Sequence, residues 1–513
     1  MNSNFILYNS KSRKKEELKT ITPGELKFYA CGPTVYSYAH IGNFRSFLTA
    51  DLIVRTAQAI GLTVNYVSNI TDVGHLTQDD MADAQGEDKM ARALRSAEQQ
   101  FSNIWDLARF YTDALLLDWK ALGLREPRVR PRAAEHVAEQ LELIDQLVKT
   151  GYAYETKLGV YFDVHKFPNY GALSGNSLEK LKESVRDTVN DEGKKNPQDF
   201  ALWKKDENHL MRWYSPYGWG YPGWHIECSA MAMKYLGESF DLHSGGEDNK
   251  FPHHECEIAQ SEAVTKKTFA HHWVHTAHLL VDGQRMSKSL GNFLTVDEVL
   301  ARGVHPRALR HALTCAIYRE TLNFTKESLE ASQKIHERAM NTYEVLCKRK
   351  LNLKAPIAKN AFDWAPKDLQ DLYHSTLSAM CDDLNTPQAY AHFLAGIKFI
   401  NTHSLTFGPD EVEGCLAWFV ACDQLLGLLG LDQQEQKKEV QEELSEDQAD
   451  LLKRRNRARA DKDFKLADEL RDELGTCQGI LINDTPQGTE WKFAKDPFSP
   501  WRLFRVVIPA ETQ

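Results

Sequence analysis

Three places in this 513-residue chain bring together residue types that do chemistry. The first is His40-Ile41-Gly42-Asn43, which follows an apolar run and opens a helical pattern. The N–H groups and positive dipole end of a helix N-terminus favour a phosphate. Gly42 admits a nucleotide close to the backbone. A histidine at that point can donate hydrogen bonds to phosphate oxygens as charge builds in a transition state. The second place is Arg285-Met286-Ser287-Lys288-Ser289, followed by Leu290-Gly291-Asn292. A lysine ammonium is a compact charge with three donors, and beside two hydroxyls in a glycine-containing loop it suits a departing pyrophosphate. Taken singly, each motif has an ordinary explanation: a chance four-residue string, or a solvated basic loop.

The third place is discontinuous. Cys31 lies in Phe28-Tyr29-Ala30-Cys31-Gly32-Pro33-Thr34, and Cys228 in Gly223-Trp224-His225-Ile226-Glu227-Cys228. His253 and Glu257 lie in Phe251-Pro252-His253-His254-Glu255-Cys256-Glu257. On a helix, residues four apart share a face, so His253 and Glu257 would point together. Thiolate, imidazole and carboxylate are all zinc ligands. Two core cysteines and a surface His–Glu pair would give the same residues without a metal. The chain has no Cys-x-x-Cys pair and no His-Glu-x-x-His motif, and His225-x-Glu227 lacks the second cysteine motif of the zinc deaminases.

These groups need a frame, and the hydrophobic pattern supplies one. Residues 27–36 read as a buried strand ending at Gly32-Pro33, residues 40–61 as a helix, and residues 62–69 as a second apolar strand. That order predicts a parallel α/β sheet. Residues 98–122 read as a further helix. The expected division is a first half of a Rossmann-like catalytic domain over 1–125, a proline- and glycine-punctuated insertion over 126–203, and the second half over 204–306 with the Lys288 loop. A helical bundle over 307–434, an acidic linker over 435–450 and a small α+β unit over 451–513 complete it.

Composition narrows the class. Hydrophobic residues at 42% and charged residues at 26% fit a globular protein, and no run of about 18 apolar residues suits a membrane span. The first residues are polar, with Lys11, Arg13, Lys14 and Lys15, and lack the apolar core of a signal peptide, so a cytoplasmic location is expected. Nine scattered cysteines imply no disulfide framework. A net charge of -10 argues against nonspecific coating of nucleic acid but leaves room for a specific RNA surface. Lys453, Arg454, Arg455, Arg457, Arg459, Lys462 and Lys465, with Trp491 beyond them, could form one. A solvated helix face balanced by Asp461, Asp463 and Asp468 is the other reading.

The first two motifs, in this order and far apart, resemble the paired signatures of class I aminoacyl-tRNA synthetases. FYACGPTVY, HIGN, NITDVGH, GWHIECSAM, HSGGEDNKFPHHE and RMSKSLGNF resemble the strings of cysteinyl-tRNA synthetases, in the family's order. RALRHAL, DFKLADELRDEL and DTPQGTEW are similar to that family's helical and anticodon-binding parts, so the likeness spans nearly the whole chain. It implies a Rossmann-like catalytic domain with an inserted connective segment, a helical bundle and a C-terminal anticodon-binding unit. It implies that cysteine is activated as its adenylate and passed to the 3′ end of tRNA(Cys).

Carried over by motif, His40 and Lys288 would be catalytic. His40, Gly42, Asn43, Asp248, Arg285 and Lys288 would hold ATP, with Asp248 near the ribose and Mg²⁺ accompanying the nucleotide. Thr71 and Trp224 would line the amino-acid pocket. Cys31, Cys228, His253 and Glu257 would hold one zinc per chain, telling cysteine from serine by bonding where shape alone discriminates weakly. The implied partners are L-cysteine, ATP and tRNA(Cys), with no membrane and a monomeric chain. Two positions depart from the family: the first signature often ends in histidine where Asn43 stands, and the second often begins with lysine where Arg285 stands. The competing readings are a cysteine ligase with an amino-sugar acceptor, a non-catalytic tRNA-binding paralogue and a small-molecule nucleotidyltransferase. The C-terminal unit argues against the first and third, and intact His40, Lys288 and ligand set against the second.

Overall fold

Glu25–Ala30, Thr63–Ser68, Phe240–Gly246 and Ala270–Thr276 form one parallel sheet. Its strand order is Ala270–Thr276, Phe240–Gly246, Glu25–Ala30, Thr63–Ser68. Phe28, Val67, Leu242 and Trp273 are buried in it, as strands covered on both faces require. The structure is a computed structural model that describes residues 4–74, 76–78, 83, 85–97, 101–176, 193–286, 291–353, 361–431, 446–460, 463–476, 480–485 and 488–493. From Glu25–Ala30 the chain crosses through the helix Ile41–Ala59 to Thr63–Ser68, and it returns on the other side as Phe240–Gly246. The order therefore reverses between Glu25–Ala30 and Phe240–Gly246. The crevice beyond the C-terminal ends of such strands is where open α/β sheets take their ligands.

Two expectations are corrected here. The helix expected over 98–122 begins at Ile104, because Asn103 accepts hydrogen bonds from the N–H groups of Trp105 and Asp106 and so caps it. A separate helix, Lys89–Ser96, precedes it, capped by Asp88. The inserted sheet also runs past residue 203. It is antiparallel, in the order Trp213–Ser215, Gly218–Pro222, Phe200–Lys205, Gly159–Phe162, Ala153–Glu155. Pro222 pairs with Trp203, whose indole is fully buried with Phe162 and Phe200, so the chain rejoins the parallel sheet only after Pro222.

The helices Pro306–Thr314, Lys326–Leu353, Lys367–Cys381, Thr386–His403 and Pro409–Leu426 follow. Buried arginines fasten them to the catalytic half. Arg310 pairs with Asp51 of the helix Ile41–Ala59 and donates to the Leu426 carbonyl. Arg55 donates to Asp51, and to the carbonyls of Gly123, Asp423 and Gln424. Arg307 donates to the carbonyls of Leu122 and Gly427. Burial alone would raise the Asp51 carboxyl, yet Arg310 and Arg55 hold it down from 3.8 to about 2.

Asp51→Ala should therefore destabilise the first unit by about 3–5 kcal/mol, because it leaves two buried guanidiniums without their carboxylate. Since the folded value lies below the unfolded one, the charged Asp51 stabilises the fold above about pH 4. That contribution, on the order of 2 kcal/mol, should fade as pH falls through about 2. Denaturant titrations of both proteins at pH 7 and pH 3 check it: the gap between them should narrow in acid.

The chain forms two compact units, Met1–Gln433 and Gln434–Gln513. In the second, Glu446–Ala460 and Phe464–Thr476 pack together beside a hairpin of Ile480–Thr485 and Gly488–Phe493. The linker expected over 435–450 is helical from Glu446 onward, and residues 435–445 lie outside the described residues. Of the basic cluster, Arg455 is buried, Lys453, Arg454, Arg457, Arg459 and Lys465 are exposed, and Lys462 lies outside the described residues. No helix among the described residues is long and apolar enough to cross a membrane.

Candidate active site and metal centre

Cys31 continues directly from the central strand, and its N–H is held by the Ser244 carbonyl at 3.0 Å. Cys228 sits on the buried side of the helix Trp224–Leu236. A wide turn, Lys250–His254, leads into the helix Glu255–Thr265, so that His253 and Glu257 fall four residues apart on neighbouring turns. One ligand atom from each of Cys31, Cys228, His253 and Glu257 lies within 4.8 Å of the others, and all four side chains are buried. His253 Nε2 is 3.1 Å from Glu257 Oε1. The structure thus brings these four side chains together.

Their proton affinities are pushed apart. Burial drives the Cys31 thiol well above its ordinary range. A hydrogen bond with Cys31 outweighs burial at Cys228 and brings it down to about 6. Burial would raise Glu257, but His243 and His253 hold it down to about 2. Burial would neutralise His253, but Glu257 and Cys228 raise it to about 10. A carboxylate, an imidazole and two sulfurs packed this closely in a dry site have the chemistry of a tetrahedral zinc set.

A second set overlaps the first. Cys31 and Glu257 also meet His243 and His254 within 4.8 Å. His243 Nε2 lies 2.9 Å from Glu257 Oε2, and His254 Nε2 lies 3.2 Å from Cys31 Sγ. Behind them, His254 Nδ1 meets His275 Nε2 at 2.9 Å, and His275 Nδ1 meets Ser10 Oγ at 2.7 Å. On the other side His225 Nδ1 meets His253 Nδ1 at 3.0 Å. Imidazoles that brace ligands in this way fix their orientation and tautomer. Sequence reasoning missed His243, His254 and His275; the density of histidine between residues 225 and 275 was the available signal.

Next to this cluster opens a cleft of about 330 Å³, lined by Cys31, Gly32, His40, Gly42, Asn43, Gly246, Asp248, Arg285 and Met286 among others. His40 caps the helix Ile41–Ala59: its Nδ1 accepts from the Asn43 N–H at 3.2 Å, and its own N–H donates to Asn43 Oδ1 at 3.1 Å. With Nδ1 an acceptor, the ring proton sits on Nε2, the donor a phosphate oxygen needs. Asn43 thus completes a capping box with His40. A Cβ at Gly42 would lie 2.7 Å from the terminal methyl of Met286 and 3.0 Å from the His40 ring, so the Met286 side chain would have to shift to admit it.

The two signatures meet here. The Phe293 ring stands edge-on to His40 at 5.2 Å, and Ile41 donates to the Leu294 carbonyl. Lys288, with residues 287–290, lies outside the described residues. Asp248 is 83% exposed at the cleft rim, 3.5 Å from His278 Nε2. Thr71 is buried under the loop after Cys31 and receives a hydrogen bond from Asn69 Nδ2. Trp224 stacks on His253 at 4.5 Å and 28°. Glu227, weighed in the sequence only as part of the His225-x-Glu227 pair, buries its carboxyl against Gly74 beside Thr71, and burial pushes it well above the usual carboxylate range.

Residues 17–334 match the family model of the class I (C) tRNA synthetase catalytic domain. Residues 377–431 match the DALR domain, and residues 441–491 the cysteinyl-tRNA ligase anticodon binding domain. The chain is 48% identical over 519 residues to the cysteine–tRNA ligase of Salinibacter ruber, covering 95% of this chain and 98% of that protein. It is 40% identical over 504 residues to that of Chlorobaculum tepidum, covering 96% and 100%. Among solved structures, LeuRS of Agrobacterium radiobacter K84 in complex with tRNA and LeuAMS shares the fold. Its TM-score is 0.57 at 12% identity, over 80% of this chain and 84% of that one. With its parallel sheet, its paired signature loops and these full-length matches, the chain belongs to the cysteinyl-tRNA synthetase family of class I aminoacyl-tRNA synthetases.

Proposed function

We propose that this chain activates L-cysteine with ATP and joins it to tRNA(Cys), working as a single chain in the cytoplasm. The observation that carries the reading is the meeting of Cys31, Cys228, His253 and Glu257 at the end of the sheet, with Cys31 shared by the cleft that His40 lines. The cysteine carboxylate attacks the α-phosphorus of ATP, the α–β bond breaks, and pyrophosphate leaves. A terminal ribose hydroxyl of the tRNA then attacks the acyl carbon, and AMP leaves.

His40 Nε2 donates to a phosphate oxygen, and the N-terminus of Ile41–Ala59 adds its dipole. Arg285 and Lys288 are assigned to the departing pyrophosphate, with Mg²⁺ on the nucleotide, and Asp248 to the ribose. Cys31, Cys228, His253 and Glu257 are assigned one zinc, and Thr71 and Trp224 the amino-acid pocket. Bound there, zinc supplies an acceptor for the substrate thiolate that a serine hydroxyl satisfies poorly. The stack of Trp224 on His253 holds that ligand in place.

Cysteine-dependent exchange of pyrophosphate into ATP, followed by charging of purified tRNA, tests the proposal. Exchange without charging of any tRNA would favour the amino-sugar acceptor instead.

The division after Gln433 gives a further expected outcome. A fragment ending near Leu431 keeps every residue assigned to ATP, cysteine and metal, but loses the exposed Lys453, Arg454, Arg457 and Arg459. Exchange should stay within about threefold of the full chain, while charging kcat/KM should fall by on the order of 10²-fold or more at physiological salt, with a flatter salt dependence. Equal loss of both activities would instead make the C-terminal unit a support of the catalytic fold.

A further inference from the structure

The metal centre opens on the reaction cleft through one of its own ligands. Cys31 lines the cleft and is 8% exposed, whereas Cys228, on the helix Trp224–Leu236, is 2% exposed. Their sulfurs lie within 4.8 Å and share a hydrogen bond. The backbone at Cys31 is held firmly: its N–H is bound by the Ser244 carbonyl, and the next residue, Gly32, packs so closely that a Cβ there would lie 1.6 Å from the Asn69 carbonyl oxygen. The third thiol nearby is turned elsewhere. Cys256 precedes the ligand Glu257, yet its Sγ meets Tyr170 Oη at 3.4 Å in the apolar cluster of the inserted sheet. The eight cysteines among the described residues are all free.

Thiolates, not thiols, reduce peroxides, and a bound metal ion keeps its sulfur ligands deprotonated. A sulfur that an oxidant reaches first, with a second sulfur beside it to resolve the product, is the arrangement of redox-sensing cysteines. A cleft that takes ATP admits a molecule as small as hydrogen peroxide.

We propose that Cys31 and Cys228 form a peroxide-sensitive pair whose oxidation expels the zinc and stops cysteine activation. Cys31 Sγ attacks one oxygen of hydrogen peroxide and the O–O bond breaks. The departing hydroxide takes a proton from solvent, and Cys31 is left as a sulfenic acid. Cys228 Sγ then attacks Cys31 Sγ, the S–O bond breaks, and a second hydroxide leaves and is protonated. Two thiolates, one peroxide and two protons give one disulfide and two waters; the sulfurs lose the two electrons that the peroxide gains. His253 and Glu257, 3.1 Å apart, remain as the only two donors of the set, too few to hold the ion. A thiol reductant reverses the bond by exchange. Charging thus stops under the conditions that oxidise the thiol substrate itself. The proposal rests on the zinc assignment made above.

The test uses the full chain, zinc-loaded and freed of reductant, treated with hydrogen peroxide. A chromogenic chelator follows zinc release, and mass spectrometry of alkylated, digested protein follows the thiols. Zinc release and a peptide pair joined through Cys31 and Cys228, two hydrogens lighter than the separate peptides, should rise together. Cysteine-dependent pyrophosphate exchange should fall in step, and dithiothreitol with added zinc should restore it to within about twofold of the untreated protein. Saturating ATP should slow release several-fold, because Cys31 lines the cleft. Cys256→Ala should release zinc and form the same bridge as wild type.

Zinc retained at peroxide concentrations that oxidise the other thiols overturns the proposal. So does a bridge to Cys256, and so does zinc loss with Cys31 carried to sulfinic acid and no bridge. Release that ATP does not slow overturns entry of the oxidant at Cys31. A protein that holds no zinc before oxidant is added overturns the metal assignment itself, which separates that failure from failure of the redox pair.

Discussion

Cys228→Ser should strip the protein of zinc and of most of its preference for cysteine over serine. Cys228 is 2% exposed, and its thiol is held near a pKa of about 6 by its contact with Cys31. A serine hydroxyl stays protonated at neutral pH and binds zinc weakly, so three donors would remain in a buried site shaped for four. Changes to groups that merely brace ligands cost 10–100-fold in metal affinity, so loss of a ligand should cost on the order of 10²-fold or more. Elemental analysis of both proteins, purified without added metal, should find one zinc per wild-type chain and a small fraction of that in the variant. Serine should then compete measurably in pyrophosphate exchange. The overlapping set supplies the control: if Cys228→Ser kept its zinc while His243→Ala or His254→Ala lost it, the ion would belong to Cys31, His243, His254 and Glu257.

That ambiguity shows where reading the sequence stops. Cys31, Cys228, His253 and Glu257 stand out because their residue types are metal ligands inside family-like strings. His243 and His254 carry the same donor atoms, but nothing in their spacing says they face Cys31 and Glu257. His243 is placed by the alignment of Phe240–Gly246 beside Glu25–Ala30, a property of the sheet, and His254 by the turn Lys250–His254 that follows. The same holds for Gly218–Pro222. Its glycines and aromatics read as a return to the central sheet, yet its partner is Phe200–Lys205. Strand identity is local, while strand partnership is not.

The buried arginines were hidden for another reason. Arg45, Arg55 and Arg310 sit in helical patterns where a charged residue ordinarily marks the wet face. Here Arg45 donates to the backbone carbonyls of Ala277, His278, Ile317 and Glu320, while Arg55 and Arg310 divide their donors between the Asp51 carboxylate and backbone carbonyls. Asn43 is a milder case. Its departure from the family's histidine looked like a change at the nucleotide. Its side chain in fact closes the capping box that orients His40, which asparagine does well because its carbonyl accepts from the cap N–H.

Lys288→Ala should slow adenylate formation by on the order of 10²–10³-fold while leaving the cysteine KM within about threefold. As pyrophosphate departs, negative charge gathers on its oxygens, and an ammonium aimed there stabilises the transition state more than the bound substrates. The cleft around that charge already offers His40, Arg285 and the N-terminus of Ile41–Ala59. Lys288 itself lies outside the described residues, but both flanks of its loop touch the first signature: Met286 closes on Gly42, and Phe293 on His40. Single-turnover adenylate formation separates chemistry from product release. Lys288→Arg should recover part of the rate, since the charge persists while the compact geometry does not. Arg285→Ala should cost less, because its strand partner Leu280 and the hydrogen bond from Asn292 to its carbonyl hold the backbone in either case. An unchanged rate in Lys288→Ala would transfer the leaving-group role to His40 and Arg285.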